Sequence, residues 1–392
     1  MRILMVCHFF ESAHGGGIIV ARLLRRLMEE RGHRVDVLCL AGGDEPQPGT
    51  VYRLAALPLL GRDLARKFLL FLNNGLFDRW FLRQAAGFRF KPGQYDVIHC
   101  QDFLGVRMAR SLATRTGASW GVTLHEYLPR QMGTTVPSPA LARFLDSACH
   151  WRDRELLPDY RAANWLVGVS RALSEAASAF VGPSGPAVRT VHNAFTPVFT
   201  APRASGPASA SAPCRFLYVG RLSPEKGVDL LIEAFRRHPG NDSLSILGLD
   251  GALRRLVERE AAHDARIRLL PPARYEEMAR HYREHDVVCC PAMWEEPFGL
   301  TTLEARACGR VVVGTRRGGI PEILEGYARA VLVESRDRTR EAIVTDLAAA
   351  LDLALALRGA PVSEVSEASF LRHFGTQAFA DQYEQIYRGG NQ

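Results

Sequence analysis

Short runs of apolar, mostly β-branched residues recur along this chain, each followed by a stretch with helical spacing, and few folds accept that alternation. In the amino-terminal part the runs are Ile3 to Val6, Val35 to Leu40 and Val97 to Cys100. Strands joined by crossover helices pair in parallel, so the pattern implies βαβ units. After the first run, Ile18, Ile19, Leu23, Leu24 and Leu27 fall on one helical face, with Arg22, Arg25, Arg26, Glu29 and Glu30 on the other, and Gly32 supplies the stop. Further strand candidates are Trp120 to Leu124, Trp165 to Val169 and Val188 to Val191.

Between Thr200 and Pro213 the chain is built almost wholly of Ala, Ser, Pro and Gly, the composition of a linker or long surface loop. A second series then begins with Phe216 to Val219 and continues through Leu244 to Leu247, Ile267 to Leu270, Val287 to Cys290, Val311 to Gly314 and Ala330 to Val333. At 392 residues the chain exceeds the size at which single cores stop growing. The expected class is therefore α/β, with two Rossmann-like doubly wound domains. The first covers 1–197, a linker 198–213, the second 214–375, and a terminal helix over 376–392 crosses back to the first domain. Open α/β sheets bind ligands at the carboxyl ends of their strands, so the crevice between the domains is the expected site.

Composition excludes several classes. Hydrophobic residues make up 47% and charged residues 23%, as in globular rather than disordered chains. No apolar stretch approaches the roughly 20 residues of a membrane-spanning helix. The opening run Met1 to Cys7 lacks a cleavage-site pattern and reads as a buried strand, so secretion is not expected and the cytoplasm is. Eight cysteines without a C-x-x-C pair read as buried and reduced. The formal charge of +7 suits an anionic partner. No nucleic-acid motif appears, which sets nucleic acid aside. Residues 63–91 interleave Phe68, Phe71, Phe77, Trp80, Phe81, Phe88 and Phe90 with Arg66, Lys67, Arg79, Arg83, Arg89 and Lys91. Two readings stand: a peripheral contact with an anionic membrane at its inner face, or an amphipathic helix packed on the first domain.

Three segments carry the chemistry. Gly15, Gly16 and Gly17 follow the first strand after His14, where glycines allow close backbone approach and a helix amino terminus favours a phosphate. The strand from Phe216 runs into Gly220-Arg-Leu-Ser-Pro-Glu-Lys-Gly227, which presents Arg221 and Lys226 at its carboxyl end, either a fork and a point charge suited to a diphosphate leaving group or a solvated basic turn. From Pro291 the chain reads Pro-Ala-Met-Trp-Glu-Glu-Pro-Phe-Gly-Leu-Thr-Thr-Leu-Glu, with seven residues between Glu296 and Glu304. Pro297 and Gly299 mark a loop, and Leu300 to Ala307 a helix. Glu296 thus precedes that helix and Glu304 lies within it, either two acceptors for two sets of hydroxyls rather than the facing pair of a glycosidase, or two solvated acids around a helix start. Arg274 adds a third cation at the crevice or is a plain surface residue. Gly318-Gly-Ile-Pro-Glu322 offers another tight turn.

Taken in order, Gly15-Gly16, His125, Gly-Arg-Leu-x-x-Glu-Lys-Gly at 220–227, Glu296-Pro-Phe-Gly-Leu with Glu304, and Gly-Gly-Ile-Pro-Glu at 318–322 resemble the retaining glycosyltransferase family 4, of GT-B fold. The resemblance spans nearly the whole chain and is most specific over 290–322. It implies that Glu304 binds the donor ribose, that Glu296 lies by the sugar hydroxyls, and that Arg221 and Lys226 hold the diphosphate. Backbone amides of Gly16 and of Phe298, Gly299, Leu300 and Thr301 would assist, and His125 matches the family's histidine near the donor sugar. A third glycine followed by Ile18, and the longer turn Gly248-Leu-Asp-Gly251, depart from the family pattern and bear on the donor's fit.

The resemblance further implies transfer of a hexose-type sugar from a UDP- or GDP-linked donor to a hydroxyl acceptor, whether glycan, lipid-linked or small molecule, by front-face substitution. His125, Arg221, Lys226 and Glu296 are the residues expected to serve the transfer itself. No Asp-x-Asp pair is present, so neither a metal nor a cofactor is expected. The alternatives are a silent scaffold on the same fold, or a phosphorylase or epimerase.

Overall fold

A computed structural model of the chain describes residues 1–11, 15–41, 46–55, 74–128, 139–200 and 212–389. It contains two compact units, Met1–Ala194 with Thr376–Gln392, and Phe195–Gly375.

The first unit is built on a wholly parallel sheet in the order β3-β2-β1-β4-β5-β6-β7. Its strands are β1 (Arg2–Val6), β2 (Arg34–Leu40), β3 (Val51–Leu54), β4 (Val97–Cys100), β5 (Ser119–Leu124), β6 (Trp165–Gly168) and β7 (Val188–Thr190). Continuous burial of Ile3 to Val6 and of Val97 to Cys100 is what a sheet covered on both faces demands. The helices are α1 (Gly16–Glu30), α2 (Asn74–Gly87), α3 (Val106–Thr116), α4 (Pro139–Arg161) and α5 (Arg171–Val181). Ser170 starts α5, its hydroxyl accepting from the Leu173 N–H at 3.1 Å.

Helix α1 buries Val20, Leu23, Leu24 and Met28 and closes with Gly32 at φ 79°, the left-handed position a glycine stop requires. One residue departs from the expected amphipathic pattern. Arg25, on the face read as charged, is buried: its guanidinium lies 5.7 Å from the Phe10 ring centre and pairs with Glu29 at 3.0 Å. A guanidinium stacks on an aromatic face at little desolvation cost, which periodicity alone does not register.

The second unit holds a parallel sheet in the order β10-β9-β8-β11-β12-β13. Its strands are β8 (Arg215–Arg221), β9 (Ser243–Leu249), β10 (Ile267–Leu270), β11 (Val287–Cys290), β12 (Val311–Thr315) and β13 (Ala330–Val333). Around it lie α6 (Val228–Arg237), α7 (Arg254–His263), α8 (Met278–Glu284), α9 (Leu300–Ala307), α10 (Ile320–Leu324), α11 (Arg340–Leu357) and α12 (Glu364–Phe374). Phe216, Leu231, Phe235, Ile246, Val287, Val344 and Leu347 form its core.

The chain enters this unit at Phe195, inside the range 1–197 assigned to the first domain. Phe195 stacks on Phe370 at 5.3 Å, and its N–H bonds the Phe374 carbonyl at 3.3 Å, so aromatic packing captures the chain ahead of the linker composition. Of the expected linker 198–213, residues 201–211 lie outside the described residues. The last helix, α13 (Thr376–Gly389), belongs to the first unit, where Arg31 pairs with Asp381 at 2.7 Å and Glu384 at 3.0 Å.

Part of the 63–91 segment lies outside the described residues. Within the described part, Phe81 and Phe90 are buried, and Phe90 meets Tyr52 at 5.0 Å and Tyr95 at 5.6 Å. Those rings are spent on the fold and are not available to a membrane. None of the eight cysteines forms a disulfide, and all but Cys290 are buried.

Candidate functional site

Strand order reverses once in each sheet, between β1 and β4 in the first unit and between β8 and β11 in the second. Adjacent crossovers there leave to opposite faces, opening the carboxyl ends of both strands to a ligand. Gly15 to Gly17 follow β1, Arg221 and Lys226 follow β8, and Glu296 and Glu304 follow β11, whereas His125 follows β5 and Arg274 the edge strand β10.

In the second unit, β8 delivers Arg221 and a 3-10 turn over Pro224–Lys226. Gly227 follows at φ 69°, and a Cβ there would lie 2.0 Å from the Pro291 carbonyl oxygen. Only glycine admits that approach. The Met293 N–H bonds the Glu225 carbonyl at 2.9 Å, fastening the turn to the loop after β11. Lys226 and Glu296, remote in sequence, thereby meet: Nζ lies 2.6 Å from Oε2. Trp294 donates its indole N–H to the same oxygen at 2.8 Å, and its ring lies 4.8 Å from Nζ. Glu296 keeps Oε1 for another donor. Arg221, half-exposed, pairs with the buried Glu225 at 3.3 Å.

The loop carrying Glu296 is clamped from the other side by the glycine turn after β12. A Cβ on Gly318, at φ 51°, would lie 2.0 Å from the Glu296 carbonyl oxygen, and the Gly319 N–H bonds that oxygen at 2.8 Å. Glu295 accepts from the Gly318 N–H at 2.9 Å and from Arg317 at 3.0 Å and Arg336 at 2.8 Å. Burial works against the charge on Glu295, but the two guanidiniums and the backbone N–H more than offset it and hold the carboxyl below its ordinary range.

Glu304 lies on α9, whose first-turn amides have no acceptor within the helix. Its side chain is buried and accepts from the Tyr282 hydroxyl at 2.8 Å. Burial raises its carboxyl to about 7, against the opposing pull of hydrogen bonds from Tyr282 and Tyr275. It is an acid poised between two protonation states near neutral pH. Phe298 is buried with its ring 6.2 Å from that of Phe374, leaving only its backbone for a ligand, while Leu300 and Thr301 are half-buried at the helix start.

In the first unit, Gly15 and Gly16 are exposed where α1 begins, and His14 lies outside the described residues. Gly17 packs against His125, where a Cβ would lie 3.2 Å from Cγ of the imidazole. The glycine turn after β1 and the histidine after β5 are thus brought together. Nε2 of His125 is 2.9 Å from Oε1 of Gln101, and burial lowers the imidazole to about 4, so it is neutral at pH 7. Asp102, whose charge acts on His125, lies 2.9 Å from His8 Nδ1. Burial would raise the Asp102 carboxyl, but His8 and the N–H groups of His8 and Gly105 hold it down.

Arg274 is 83% exposed on its side chain and bonds only acids of its own turn, with its backbone N–H 3.0 Å from Glu277 and its guanidinium 3.7 Å from Glu276. Five residues of the site escape sequence reasoning: Trp294, Glu295, Tyr275, Tyr282 and Gln101. Trp294 and Glu295 sit inside the recognised block, where their spacing to Glu296 was the available signal. The others act through contacts between elements. Among the described residues no three His, Cys, Asp or Glu side chains converge on a metal position, and no helix is long and apolar enough to cross a membrane.

Comparison with known proteins matches both units. The model of "Glycosyltransferase Family 4" matches residues 14–199, and that of "Glycosyl transferases group 1" residues 213–352. D-inositol 3-phosphate glycosyltransferase of Geodermatophilus obscurus is 30% identical over 93% of this chain and 81% of its own length. Among solved structures, sucrose-phosphate synthase from Thermosynechococcus elongatus superposes with a TM-score of 0.77 at 22% identity, over 99% of this chain and 98% of that one. HepE of Anabaena, in complex with UDP and glucose, superposes with a TM-score of 0.71 at 17% identity, over 98% of this chain and 99% of its own.

Proposed function

The chain belongs to glycosyltransferase family 4, with the GT-B fold, and from that premise we propose that it moves a hexose-type sugar from a UDP- or GDP-linked donor to a hydroxyl acceptor with retention of configuration. The observation that carries this reading is the difference between the two acids of the second unit. Glu304 is buried, poised near 7 and set among tyrosine hydroxyls, the place for an acceptor of ribose hydroxyls. Glu296 is partly open, offers one unshared oxygen and is tied to a cation, the place for sugar hydroxyls beside a diphosphate. UDP is the first nucleotide to test, since the Anabaena structure contains it.

Transfer then runs as a front-face substitution. The bond between the anomeric carbon and the diphosphate oxygen breaks as the acceptor oxygen bonds the same face of that carbon. The acceptor's proton passes to the departing diphosphate. Lys226 and Arg221 stabilise the charge growing on the leaving group, and the first-turn amides of α9 add fixed dipoles. These cations take the part a metal plays in other transferases, so no metal is needed. His125, neutral and lodged against Gly17, receives a sugar hydroxyl. A phosphorylated polyol is the first acceptor to test, given the name of the Geodermatophilus relative and the net charge of +7. Eight cysteines without a disulfide suit the reducing cytoplasm.

Calorimetric titration with UDP, GDP and ADP without metal, on wild type and Glu304→Ala, tests the reading. Selective binding of one nucleotide, lost in the variant, supports it. Equal binding by both proteins, or a requirement for a divalent cation, overturns the assignment of Glu304 or of the metal-free mechanism respectively.

A further inference from the structure

A chain of buried polar side chains runs from the carboxy-terminal helix to His125, all within the first unit. His99, Gln101, Thr123, Tyr383 and Tyr387 are each almost completely buried. Tyr387 of α13 places its hydroxyl 2.7 Å from Nδ1 of His99, and Thr123 places Oγ1 2.8 Å from Nε2 of the same ring. Tyr383, one turn earlier on α13, meets Thr123 at 2.9 Å. Both in-plane positions of the His99 ring are therefore taken. The side-chain nitrogen of Gln101 lies 3.3 Å from Nδ1 and 3.1 Å from Nε2 of that ring. An in-plane atom equidistant from both nitrogens would collide with Cε1, so the amide lies over the ring face.

That placement fixes which way the Gln101 amide points. Its N–H edge is attracted to the electron-rich face of His99, whereas a carbonyl oxygen there would be repelled. The carbonyl is turned to His125, 2.9 Å from Nε2. A carbonyl oxygen only accepts, so the shared hydrogen resides on Nε2 of His125. Because the imidazole is neutral, Nδ1 keeps its lone pair, and among the described residues it has no partner.

We propose that Gln101, braced over His99 by Tyr387 and Thr123, is a positioning residue that fixes His125 as the Nε2–H tautomer, so that the histidine meets the donor sugar through Nδ1 as a hydrogen-bond acceptor. Helix α13 thereby holds the site histidine through a buried relay. The inference rests on the reading that His125 serves the donor sugar. Asp102 and His99 are the other titratable groups acting on His125, the first favouring its cation and the second opposing it.

The test is nitrogen NMR of the full chain labelled with 15N-histidine, with His125 assigned by loss of its signals in His125→Asn. The wild type at pH 7 should show Nε2 protonated and Nδ1 bare. Gln101→Leu should give a mixture of tautomers and a fall in kcat of roughly tenfold, with KM nearly unchanged. Tyr387→Phe should move the same signals in the same direction to a smaller extent. Gln101→Glu, nearly isosteric, sets a carboxylate against Nε2 and should raise the His125 titration well above about 4 while the protein stays folded. A wild-type ring protonated on Nδ1, or His125 signals unmoved in both Gln101 variants, overturns the inference. If the signals respond but His125→Ala leaves kcat/KM unchanged, the positioning of His125 stands and its role at the donor sugar falls.

Discussion

Lys226 grips Glu296 by a single carboxylate oxygen, at 2.6 Å, and Trp294 donates to that same oxygen at 2.8 Å. The lysine is thereby aimed while two of its ammonium hydrogens stay available, and Glu296 retains Oε1. Trp294→Phe would keep an aromatic face beneath Nζ but remove the indole N–H. A loss of one hydrogen bond of about 1 kcal/mol predicts a fall in kcat/KM of roughly fivefold. Lys226→Met removes the charge itself and should lower kcat by about 10² to 10³. Steady-state kinetics on the two variants separates these effects; equal losses would mean that Trp294 does more than aim the lysine.

Glu304 predicts a pH dependence with a definite sign. Ribose hydroxyls donate to a carboxylate better than to a carboxylic acid, so nucleotide binding should tighten as pH rises from 6 to 8 and should release a proton. Calorimetry in buffers of different ionisation enthalpy measures that proton directly. A pH-independent affinity between 6 and 8 would exclude Glu304 from the nucleotide contact.

The same group affects folding. Its folded-state value, about 7, is raised above the ordinary 4.5, so the folded protein binds this proton more tightly than the unfolded chain. Its stabilising contribution is fully present below 4.5 and is lost as pH rises through about 7. Glu304→Gln should therefore gain on wild type as pH increases, by at most about 3 kcal/mol. Urea denaturation at pH 5 and pH 8 gives the difference; a variant that gains nothing at pH 8 would show that the carboxylate is already accommodated in the unliganded fold.

The strands were legible because both sheets are parallel and covered on both faces, so Ile3 to Val6 and Val287 to Cys290 appear as unbroken apolar runs. Strand β3 was not, since only Leu54 of its four residues is fully buried. Helix α9 was legible from Gly299 and the apolar spacing after it. Sequence spacing also placed Glu296 before that helix and Glu304 within it. It did not disclose that Lys226 would bind Glu296, because that contact depends on Gly227 meeting the Pro291 carbonyl across two loops. Gln101 and Tyr387 belong to the same class: each is unremarkable in its own segment and acquires a role only when β4, β5 and α13 are packed together.

Gly318 offers a test of the clamp on the Glu296 loop. Its φ of 51° and a would-be Cβ only 2.0 Å from the Glu296 carbonyl oxygen leave a side chain no room, and the obstructing atom is backbone. Gly318→Ala should cost about 1 to 3 kcal/mol of stability and displace Glu296. Thermal unfolding and nucleotide titration should both worsen. A variant with unchanged affinity despite a lower melting temperature would show that the clamp supports the fold and not the site.

Tyr282 tunes the acid that the nucleotide meets. Its hydroxyl donates to Glu304 at 2.8 Å and so favours the carboxylate, opposing the effect of burial. Tyr282→Phe removes that donor, and the carboxyl should then titrate above about 7. The midpoint of the pH dependence of binding should move upward with it. At neutral pH the variant should bind nucleotide more weakly than wild type, and the deficit should shrink as pH rises through the new midpoint. A purely packing role for Tyr282 gives a different curve, with affinity lowered by the same factor at every pH. Titrations at a series of pH values between 6 and 9 on both proteins decide between a hydroxyl that sets the charge on Glu304 and a ring that only fills space beside it.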